Sequence, residues 1–309
     1  MKNAYFAIWY GCNQKCKGCP CGKRTDKSKS LTLDDVKQAV DALVEESNEE
    51  ISITISGGEP TLHPDFFDIL EYIKSKDIFL TILSNGEKFS DAKFVEEFVN
   101  HINVFKTRVV TTIHSSDYLV HEDQNQSKGS FDRSINGLNN IFMKGIKVTV
   151  KHCITKVNYK DTKDFIISMN NKFHPSVNFE IWGIDYCGLD REEADKLYVN
   201  YKELQPYLEE ALDEVINIID YNGRMFDFYN LPLCWVDPYY WNLWSMIKKD
   251  KNYSAYVDPK GEMINVGDGS GCYAEKCKIC EVNKYCQGTY KSAFDYFGEE
   301  CVNEIKLVK

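Results

Sequence analysis

Residues 51–75 read ISITISGGEPTLHPDFFDILEYIKS and contain one complete unit of the fold. The segment Ile51–Ser56 is rich in β-branched residues and ends at a glycine turn, which predicts a strand. Pro64–Ser75 follows with apolar residues at helical spacing, which predicts a helix. Because a strand that leads into a helix is the building block of parallel sheets, this stretch predicts an α/β fold.

A strand pattern followed by a helix pattern occurs six times in the first two-thirds of the chain. The predicted strands are Tyr5–Trp9, Ile51–Ser56, Phe79–Ser84, Arg108–His114, Lys147–Cys153 and Asn178–Ile184. The first predicted helix starts at the N-cap Thr32, with Asp35 three residues further on. The other predicted helices are Pro64–Ser75, Asp91–Asn100, Phe131–Met143, Asp161–Asn171 and about Glu192–Tyr221. Eight such units close a barrel, so six predict an open, partial (β/α)6 TIM-like barrel. A doubly wound sheet is the alternative, which periodicity alone does not exclude.

The pattern changes near residue 222. Aromatic residues become dense from Leu231 onward, and Tyr256–Ile264 reads as a hairpin with its turn at Asp258–Gly261. A cysteine cluster follows. We therefore predict two domains, the barrel at residues 1–221 and a small cysteine-rich domain at residues 222–309.

The charge of the chain bears on its partners and its location. The 309 residues include 47 Asp and Glu against 37 Lys and Arg, for a formal net charge of −10. This balance argues against general binding to nucleic acid or to an anionic membrane. A basic stretch at residues 15–29 is interpreted as a solvated loop. No run approaches the roughly 18 apolar residues of a membrane span, and the N-terminus lacks the apolar core of a signal peptide, so we expect a soluble, cytoplasmic protein.

The twelve cysteines fall mainly into two groups. Four lie between residues 12 and 21, and five between residues 272 and 301. In a reducing cytosol, such groups are metal ligands or catalytic thiols more often than disulfides. Cys12, Cys16 and Cys19 form a C-x3-C-x2-C pattern on one loop after the first strand. Because a cubane held by three thiolates keeps one iron open, this spacing indicates an iron–sulfur cluster that takes a further ligand.

Polar residues and glycines follow each predicted strand, where ligands bind in barrels and doubly wound sheets alike. The Gly-Gly-Glu turn after the second strand supplies carbonyl and carboxylate acceptors that suit an ammonium group. The residues that follow these strands are Gly57–Pro60, Ser84–Gly86, His114–Asp117, Asn158 and Asp185. No catalytic acid or base is assigned.

A C-x3-C-x2-C loop after a first strand, with Gly-Gly-Glu-Pro after a second, resembles the radical S-adenosylmethionine (SAM) superfamily. The resemblance covers about residues 4–190 and continues into the C-terminal region. It implies that Cys12, Cys16 and Cys19 hold a [4Fe–4S] cluster whose open iron is chelated by SAM. One electron from that cluster would cleave the sulfonium and produce a 5′-deoxyadenosyl radical, which abstracts hydrogen from a substrate.

The resemblance also implies roles for the strand-end residues. The implied contacts are Gly57, Gly58 and Glu59 with the SAM amino group, Ser84 and Asn85 near SAM, and Ser115 and Asn158 with its methionyl or ribose groups. The chain departs from the family at Gly18, where an aromatic residue commonly packs near the adenine. Trp182 and Phe6 are the candidate substitutes. Cys21 is interpreted as a structural cysteine beside the site.

The second cysteine group resembles the SPASM or twitch tail of many radical SAM maturases. Cys277, Cys280 and Cys286 follow a C-x2-C-x5-C pattern, and a full SPASM tail would place another cysteine where Tyr290 stands. The resemblance therefore implies one auxiliary [4Fe–4S] cluster, with zinc as the alternative. Its fourth ligand is Cys272 or Cys234, and Cys301 is a further ligand or a core cysteine.

From the resemblance we expect a radical SAM enzyme that modifies a ribosomally made peptide by a crosslink, a thioether or epimerisation. A flavodoxin or ferredoxin-type protein would donate the electrons. A separate N-terminal peptide-recognition domain is not expected, because the first strand begins at once. The alternatives are a radical SAM enzyme for a small molecule (a nucleoside, sugar or amino acid) and, from another class, a non-catalytic iron–sulfur electron carrier or redox sensor.

Overall fold

A nine-stranded sheet is the centre of the computed structural model, which describes residues 1–19, 21, 30–244, 254–257, 263–266 and 271–306. The strands are β1 (Lys2–Trp9), β2 (Ile51–Gly57), β3 (Phe79–Leu83), β4 (Thr107–Thr112), β5 (Lys147–Ile154), β6 (Asn178–Gly183), β7 (Phe226–Tyr229), β8 (Ser254–Val257) and β9 (Met263–Val266). The helices are α1 (Leu33–Glu46), α2 (Phe66–Ser75), α3 (Ala92–Asn100), α4 (Tyr118–Asn125), α5 (Ser130–Phe142), α6 (Thr162–Lys172), α7 (Arg191–Leu197), α8 (Tyr201–Asn222) and α9 (Lys291–Phe297).

The order of the strands distinguishes the two predicted architectures. Strands β1 to β7 lie side by side in chain order and all pair in parallel. A doubly wound sheet reverses its order at a switch point, whereas a barrel does not. The strand order always advances in one direction. Right-handed crossovers then put every helix on the same face of the sheet, so the sheet is a partial barrel. The predicted α/β partial TIM-like barrel is confirmed.

Two parts of the barrel differ from the predicted elements. The prediction of a single helix at Glu192–Tyr221 is wrong. Helix α7 ends at Leu197, and a second helix, α8, begins at Tyr201. Asn200 caps α8 by accepting a hydrogen bond from the backbone N–H of Lys202 at 2.9 Å. Strand β7 was not predicted and adds a seventh parallel strand.

Alternation along the strands divides the sheet into two faces. Phe179 and Ile181 of β6 face the helices and belong to the main hydrophobic core. Glu180 and Trp182 therefore face the concave interior of the barrel. The interior face of β6 is thus polar and aromatic, whereas its helix-facing side is apolar.

The last strands connect the barrel to the C-terminal region. Strand β8 pairs in parallel with β1, and β9 pairs antiparallel with β8, which confirms the predicted hairpin. Its predicted turn at Asp258–Gly261 lies outside the described residues, as do residues 22–29 of the basic stretch. The domain boundary at residue 222 stays a prediction, although the sheet continues past it. Among the described residues, no helix is long and apolar enough to cross a membrane.

Candidate active site

The three cysteines of the first pattern lie on the loop that leaves the C-terminal end of β1. The side chain of Gln14 lies inside this loop, where its Oε1 accepts a hydrogen bond from the Cys16 thiol at 3.3 Å. The backbone N–H of Gln14 donates to the sulfur of Cys12 at 3.4 Å. Partial burial and the nearby thiols of Cys19 and Cys12 raise the pKa of the Cys16 thiol. The loop therefore gathers three sulfurs close enough to affect one another's charge.

A buried carboxylate anchors this loop to the barrel. The Nε2 of Gln14 donates to Oε1 of Glu87 at 2.7 Å, and Nε of Arg133 donates to Oε2 of Glu87 at 2.6 Å. The backbone N–H groups of Lys15 and Lys17 donate to carbonyls at the end of α4, at 3.0 and 2.7 Å. These contacts fix the loop at both of its sides. Gln14, Glu87 and Arg133 were not among the predicted site residues.

The Gly-Gly-Glu turn packs directly against the cysteine loop. The N–H of Gly58 donates to the carbonyl of Trp9 at 2.5 Å, and the N–H of Glu59 donates to the carbonyl of Gly11 at 2.9 Å. A Cβ on Gly57 would overlap the Trp9 carbonyl, and a Cβ on Gly58 would overlap the Gly11 carbonyl. Both glycines are therefore needed for the close approach of the turn to the residues that precede Cys12.

Glu59 is 1% exposed and ties the second strand end to the third. Its Oε1 accepts hydrogen bonds from the backbone N–H and hydroxyl of Thr61, at 3.1 and 2.6 Å, and from the Ser84 hydroxyl at 2.8 Å. Its Oε2 accepts from the N–H of Asn85 at 2.7 Å. Burial raises the pKa of the Glu59 carboxyl, and these donors oppose that rise. The carboxylate thus holds Ser84 and Asn85 in place beside the turn.

Asn85 connects this group back to the cysteine loop, because its Nδ2 donates to Oδ1 of Asn13 at 2.8 Å. Cys21 lies on the other side of the turn, and its thiol donates to the carbonyl of Gly57 at 2.9 Å. Hydrogen bonds therefore connect the cysteine loop, the Gly-Gly-Glu turn and the Ser84–Asn85 segment at the first three strand ends.

Ser115 and Asn158 lie further along the rim, at the ends of β4 and β5. Ser115 is 4% exposed, and its hydroxyl accepts the N–H of Asp117 at 3.1 Å. The Asn158 amide donates to the carbonyls of His114 and Cys153 at 2.9 and 3.0 Å, and its oxygen accepts the N–H of Thr155 at 2.7 Å. Asn158 therefore acts as a clamp between two strand ends, a role that its sequence position did not reveal. Its predicted contact with SAM stays a prediction.

The structure explains the departure at Gly18. Its φ is +78°, a conformation that strains any residue with a side chain, and a Cβ there would also push on the Leu197 methyl, 2.6 Å away. The prediction that Phe6 could pack on adenine is wrong, because Phe6 is fully buried in the helix-facing core. Trp182, the other candidate, lies on the interior face. Its packing on adenine stays a prediction.

Trp182 belongs to an interior wall formed by strands β4 to β7. Its indole N–H donates to Oε2 of Glu180 at 3.0 Å, and Arg108 donates to Oε1 of the same carboxylate at 3.0 Å. The rings of Trp182 and Tyr229 stack at 4.4 Å, and Nζ of Lys151 lies 3.9 Å from the Trp182 ring centroid. This interior wall therefore combines a stacked aromatic pair with charges of both signs.

Two fully buried histidines lie close to the fourth and fifth strand ends. His121 and His152 are each 1% exposed, and the Nε2 atom of each has no hydrogen-bond partner among the described residues. Burial lowers the pKa of His121 to about 3 and that of His152 to about 4. Both imidazoles are therefore neutral near pH 7.

A second group of thiols lines a small cavity in the C-terminal region. Its cysteines are Cys234, Cys272, Cys277, Cys280 and Cys286. Cys301 does not line it; its buried thiol donates to the Gly298 carbonyl at 3.1 Å. Within the described residues, no three His, Cys, Asp or Glu side chains are placed to hold a single metal ion. Thiolates are ligands of both zinc and iron–sulfur clusters, so the chemistry of this lining fits either group.

The cysteine loop and the Gly-Gly-Glu turn both lie in a region that matches a known family. The model of the Radical SAM superfamily matches residues 6–168, which is more than half of the chain. The chain belongs to the radical SAM superfamily. The match begins in β1 and ends in α6, so it includes the cysteine loop, the Gly-Gly-Glu turn and the clamp at Asn158.

Individual relatives are more distant. The radical SAM chain is 22% identical to the antilisterial bacteriocin subtilosin biosynthesis protein AlbA of Bacillus subtilis (strain 168), over 72% of this chain and 49% of AlbA. It is 23% identical to an S-adenosylmethionine-dependent nucleotide dehydratase of Flammeovirga pacifica, over 87% of this chain and 84% of that protein. The chain spans half or less of the first curated relatives that it matches.

A solved structure confirms the fold over nearly the whole chain. Streptococcus suis SuiB, in its crystal structure bound to precursor peptide SuiA, superposes with a TM-score of 0.66 at 14% identity. The superposition covers 98% of this chain and 74% of SuiB. At this identity the similarity establishes the architecture of this radical SAM enzyme.

Proposed function

We propose that this radical SAM enzyme modifies a ribosomally made peptide. The observation that carries the SAM site is the contact of the Gly-Gly-Glu turn with the loop of three cysteines. Cys12, Cys16 and Cys19 would hold a [4Fe–4S] cluster, and Gly57, Gly58 and Glu59 would border the SAM amino group. When bound and reduced, this cluster supplies one electron that breaks the C5′–S bond of SAM, so that the nucleoside fragment can take hydrogen from a substrate carbon.

The residues of the chain perform three tasks in this proposal. Gln14, held by Glu87 and Arg133, keeps the cysteine loop in one conformation, so that the sulfurs need little rearrangement on binding iron. Glu59 keeps Ser84 and Asn85 aligned beside the turn. The partial barrel would surround the substrate and keep water away from the reacting carbon.

The interior wall supports a peptide substrate. Arg108 and Glu180 neutralise each other, while Trp182 and Tyr229 offer a flat apolar surface with polar edges, and such aromatic surfaces bind peptide side chains well. The names of AlbA and of the SuiB complex refer to bacteriocin biosynthesis and to a precursor peptide, which agrees with this substrate class. A crosslink, a thioether or an epimerised residue would be the product.

A nucleotide is the second candidate substrate, because the nucleotide dehydratase from Flammeovirga pacifica matches over 84% of its own length. A polyphosphate needs several unneutralised cations. The cations on strands β4 to β7 are Arg108, Lys147 and Lys151. Arg108 is paired with Glu180, and Lys147 is exposed at the start of β5, at the opposite end of the sheet from the cysteine loop. The wall therefore favours a peptide over a nucleoside triphosphate.

The proposal also includes an auxiliary cluster that transfers electrons. Cys277, Cys280 and Cys286 would hold one auxiliary [4Fe–4S] cluster together with Cys272 or Cys234. A flavodoxin or ferredoxin-type protein would supply electrons to the enzyme. The two domains, 1–221 and 222–309, would then each carry one cluster.

The test is SAM cleavage by the anaerobically reconstituted protein with excess dithionite. We expect 5′-deoxyadenosine and methionine, no cleavage by Cys16→Ala, and normal cleavage by Cys187→Ala, whose thiol is exposed and outside both groups. Cys280→Ala should retain some uncoupled cleavage but form little product. Failure of the fully loaded wild type to cleave SAM would favour the carrier or sensor.

The substrate class is tested separately. Peptides encoded beside the gene and a set of nucleoside triphosphates are each added to the reduced enzyme, and new products are identified by mass spectrometry. A modified peptide supports the proposal. A dehydrated nucleotide, with no change to any peptide, would transfer the assignment to the second candidate.

A further inference from the structure

The interior wall contains one lysine whose side chain points into the barrel. Lys151 lies on β5, three residues before the end of the strand, and its register partners are Thr112 of β4 and Glu180 of β6. The next residue, His152, stacks on Phe165 of α6 with ring centroids 3.9 Å apart, so His152 faces the helices. Because successive side chains of a strand point to opposite faces, Lys151 faces the interior.

The carboxylates of the interior wall are grouped around Arg108 and not around this lysine. Both oxygens of Glu180 already accept hydrogen bonds, Oε1 from Arg108 and Oε2 from Trp182, each at 3.0 Å. Asp227 on β7 also interacts with Arg108, because burial raises the pKa of its carboxyl and the charge of Arg108 opposes that rise. No ion pair among the described residues includes Lys151. Its positive charge therefore has no paired counter-charge on the wall.

The ring of Trp182 nevertheless holds the ammonium group of Lys151 in position. Nζ lies 3.9 Å from the ring centroid, which is within the range of a cation–π contact. Tyr229, from the strand on the other side of β6, stacks on the same ring at 4.4 Å. A cation–π contact occupies one side of an ammonium group and leaves N–H donors on the other. Lys151 is therefore fixed in place while it keeps donors for a ligand.

Lys151 also lies toward the rim that carries the cysteine loop. Burial lowers the pKa of His114, at the end of β4, to about 4, and the charge of Lys151 contributes to that decrease. Burial raises the pKa of Cys153, two residues closer to the rim, and the charge of Lys151 opposes that rise. Three residues of a strand span about 10 Å, so the ammonium group is within reach of a substrate held inside the strand ends.

A carboxylate is the group that suits this arrangement. An ammonium group is a compact point charge whose donors can pair with one carboxylate, whereas a polyphosphate needs several cations. Such a pair is also stronger inside a partly closed barrel than at the surface, because less water screens it. In a peptide, Asp and Glu side chains supply carboxylates, and their methylene groups can pack on an aromatic ring such as that of Trp182.

We propose that Lys151 binds the carboxylate of an acidic residue in the substrate peptide, with Trp182 holding the ammonium group in position. The proposal rests on the peptide substrate of the proposed function and adds the chemistry of one residue that this peptide contains. Lys151 is thus a specificity-determining residue, and the enzyme selects peptides with an Asp or Glu close to the modified residue.

The test compares two synthetic peptides that differ in one charged group, acetyl-Ala-Glu-Ala-amide and acetyl-Ala-Gln-Ala-amide. Their Kd values are measured by isothermal titration calorimetry on the anaerobically reconstituted, SAM-loaded protein. We expect the wild type to bind the Glu peptide about fivefold more tightly than the Gln peptide. Lys151→Arg should keep most of this preference. Lys151→Met keeps an apolar stem on Trp182 and should lose the preference.

The matched control is Lys147→Met, which removes an exposed lysine at the start of the same strand and should bind both peptides as the wild type does. Equal or undetectable binding of both peptides by the wild type would overturn the proposal. An unchanged preference in Lys151→Met would overturn it as well.

The methionyl carboxylate of SAM is the other group that Lys151 could contact, and kinetics distinguish the two. The rate of SAM cleavage with dithionite, without peptide, is measured against SAM concentration. We expect the KM for SAM of Lys151→Met to stay within about twofold of wild type, and a rise of about tenfold would overturn the proposal. A wild type that prefers the Glu peptide but cleaves no SAM would contradict the proposed function and not this subsite.

Discussion

Replacing Gly58 by alanine tests whether the Gly-Gly-Glu turn positions the cysteine loop. The new Cβ would lie 2.8 Å from the carbonyl carbon of Gly11 and 3.0 Å from the carbonyl oxygen of Tyr10, where ordinary contacts begin at 3.4 Å. The closest overlap is with the carbonyl oxygen of Gly11, so the chain just before Cys12 must move by about 1 Å. Overpacking of this kind costs about 1–3 kcal/mol of unfolding free energy. A shift of this size at a reacting group is expected to slow SAM cleavage by about ten- to a hundredfold.

The matched control is Gly223→Ala at the end of α8. Gly223 has a φ of +71°, and a Cβ added there would meet no atom within 4 Å, so alanine adds left-handed strain of about 1–2 kcal/mol without a clash. Thermal unfolding, iron content and the initial rate of 5′-deoxyadenosine formation are measured for both variants. We expect similar losses of stability, a slower rate for Gly58→Ala and a rate within about twofold of wild type for Gly223→Ala. A wild-type rate for Gly58→Ala at full iron content would refute the positioning role of the turn.

Three further predictions concern the anchor, the second cavity and the buried histidines. Glu87→Gln should lower the free energy of unfolding by about 1–2 kcal/mol and speed iron loss to a chelator, because the anchor of the cysteine loop loses its charge. Ile305→Pro removes the N–H donated to Cys280, so the potential of the second cluster in protein-film voltammetry should become more negative, with Glu304→Ala unchanged. The buried imidazoles have pKa values below 6.5, so protons favour the unfolded chain as the pH falls below about 6.5. His114 shares this lowered pKa, so three such groups cost about 4 kcal/mol between pH 7 and pH 5.5, or about 6 °C in thermal unfolding, and His152→Gln should remove about a third of that loss.

Local sequence signals predicted the fold where the structure depends on neighbours in the chain. Thr32 and Asp35 form the expected capping box at the start of α1, with the Asp35 N–H donating to the Thr32 hydroxyl at 3.2 Å. The break between α7 and α8 depends on distant residues instead. Tyr198 stacks on Phe297 at 3.8 Å, nearly one hundred residues further along the chain, while apolar residues continue through the break. Periodicity therefore predicted one helix where tertiary packing makes two.

The candidate site divides in the same way. The cysteine pattern and the Gly-Gly-Glu turn were visible because their chemistry depends on spacing within a few residues. The anchor of the loop was not visible, because Gln14, Glu87 and Arg133 are joined only by the fold. The interior wall was not visible for the same reason. Strand alternation places Trp182 and Glu180 on one face, but only the fold shows that this face is the concave interior.

The pairing of β1 with β8 has a consequence for how the chain acquires its shape during synthesis. Strand β1 carries the cysteine loop at its end, yet one of its edges is covered by Ser254–Val257, which the ribosome makes about 250 residues later. Until then that edge presents open backbone groups to other nascent chains. A chain cut after residue 221 would keep this edge uncovered, and we expect it to aggregate even though every crossover helix that follows strands β1 to β6 is present.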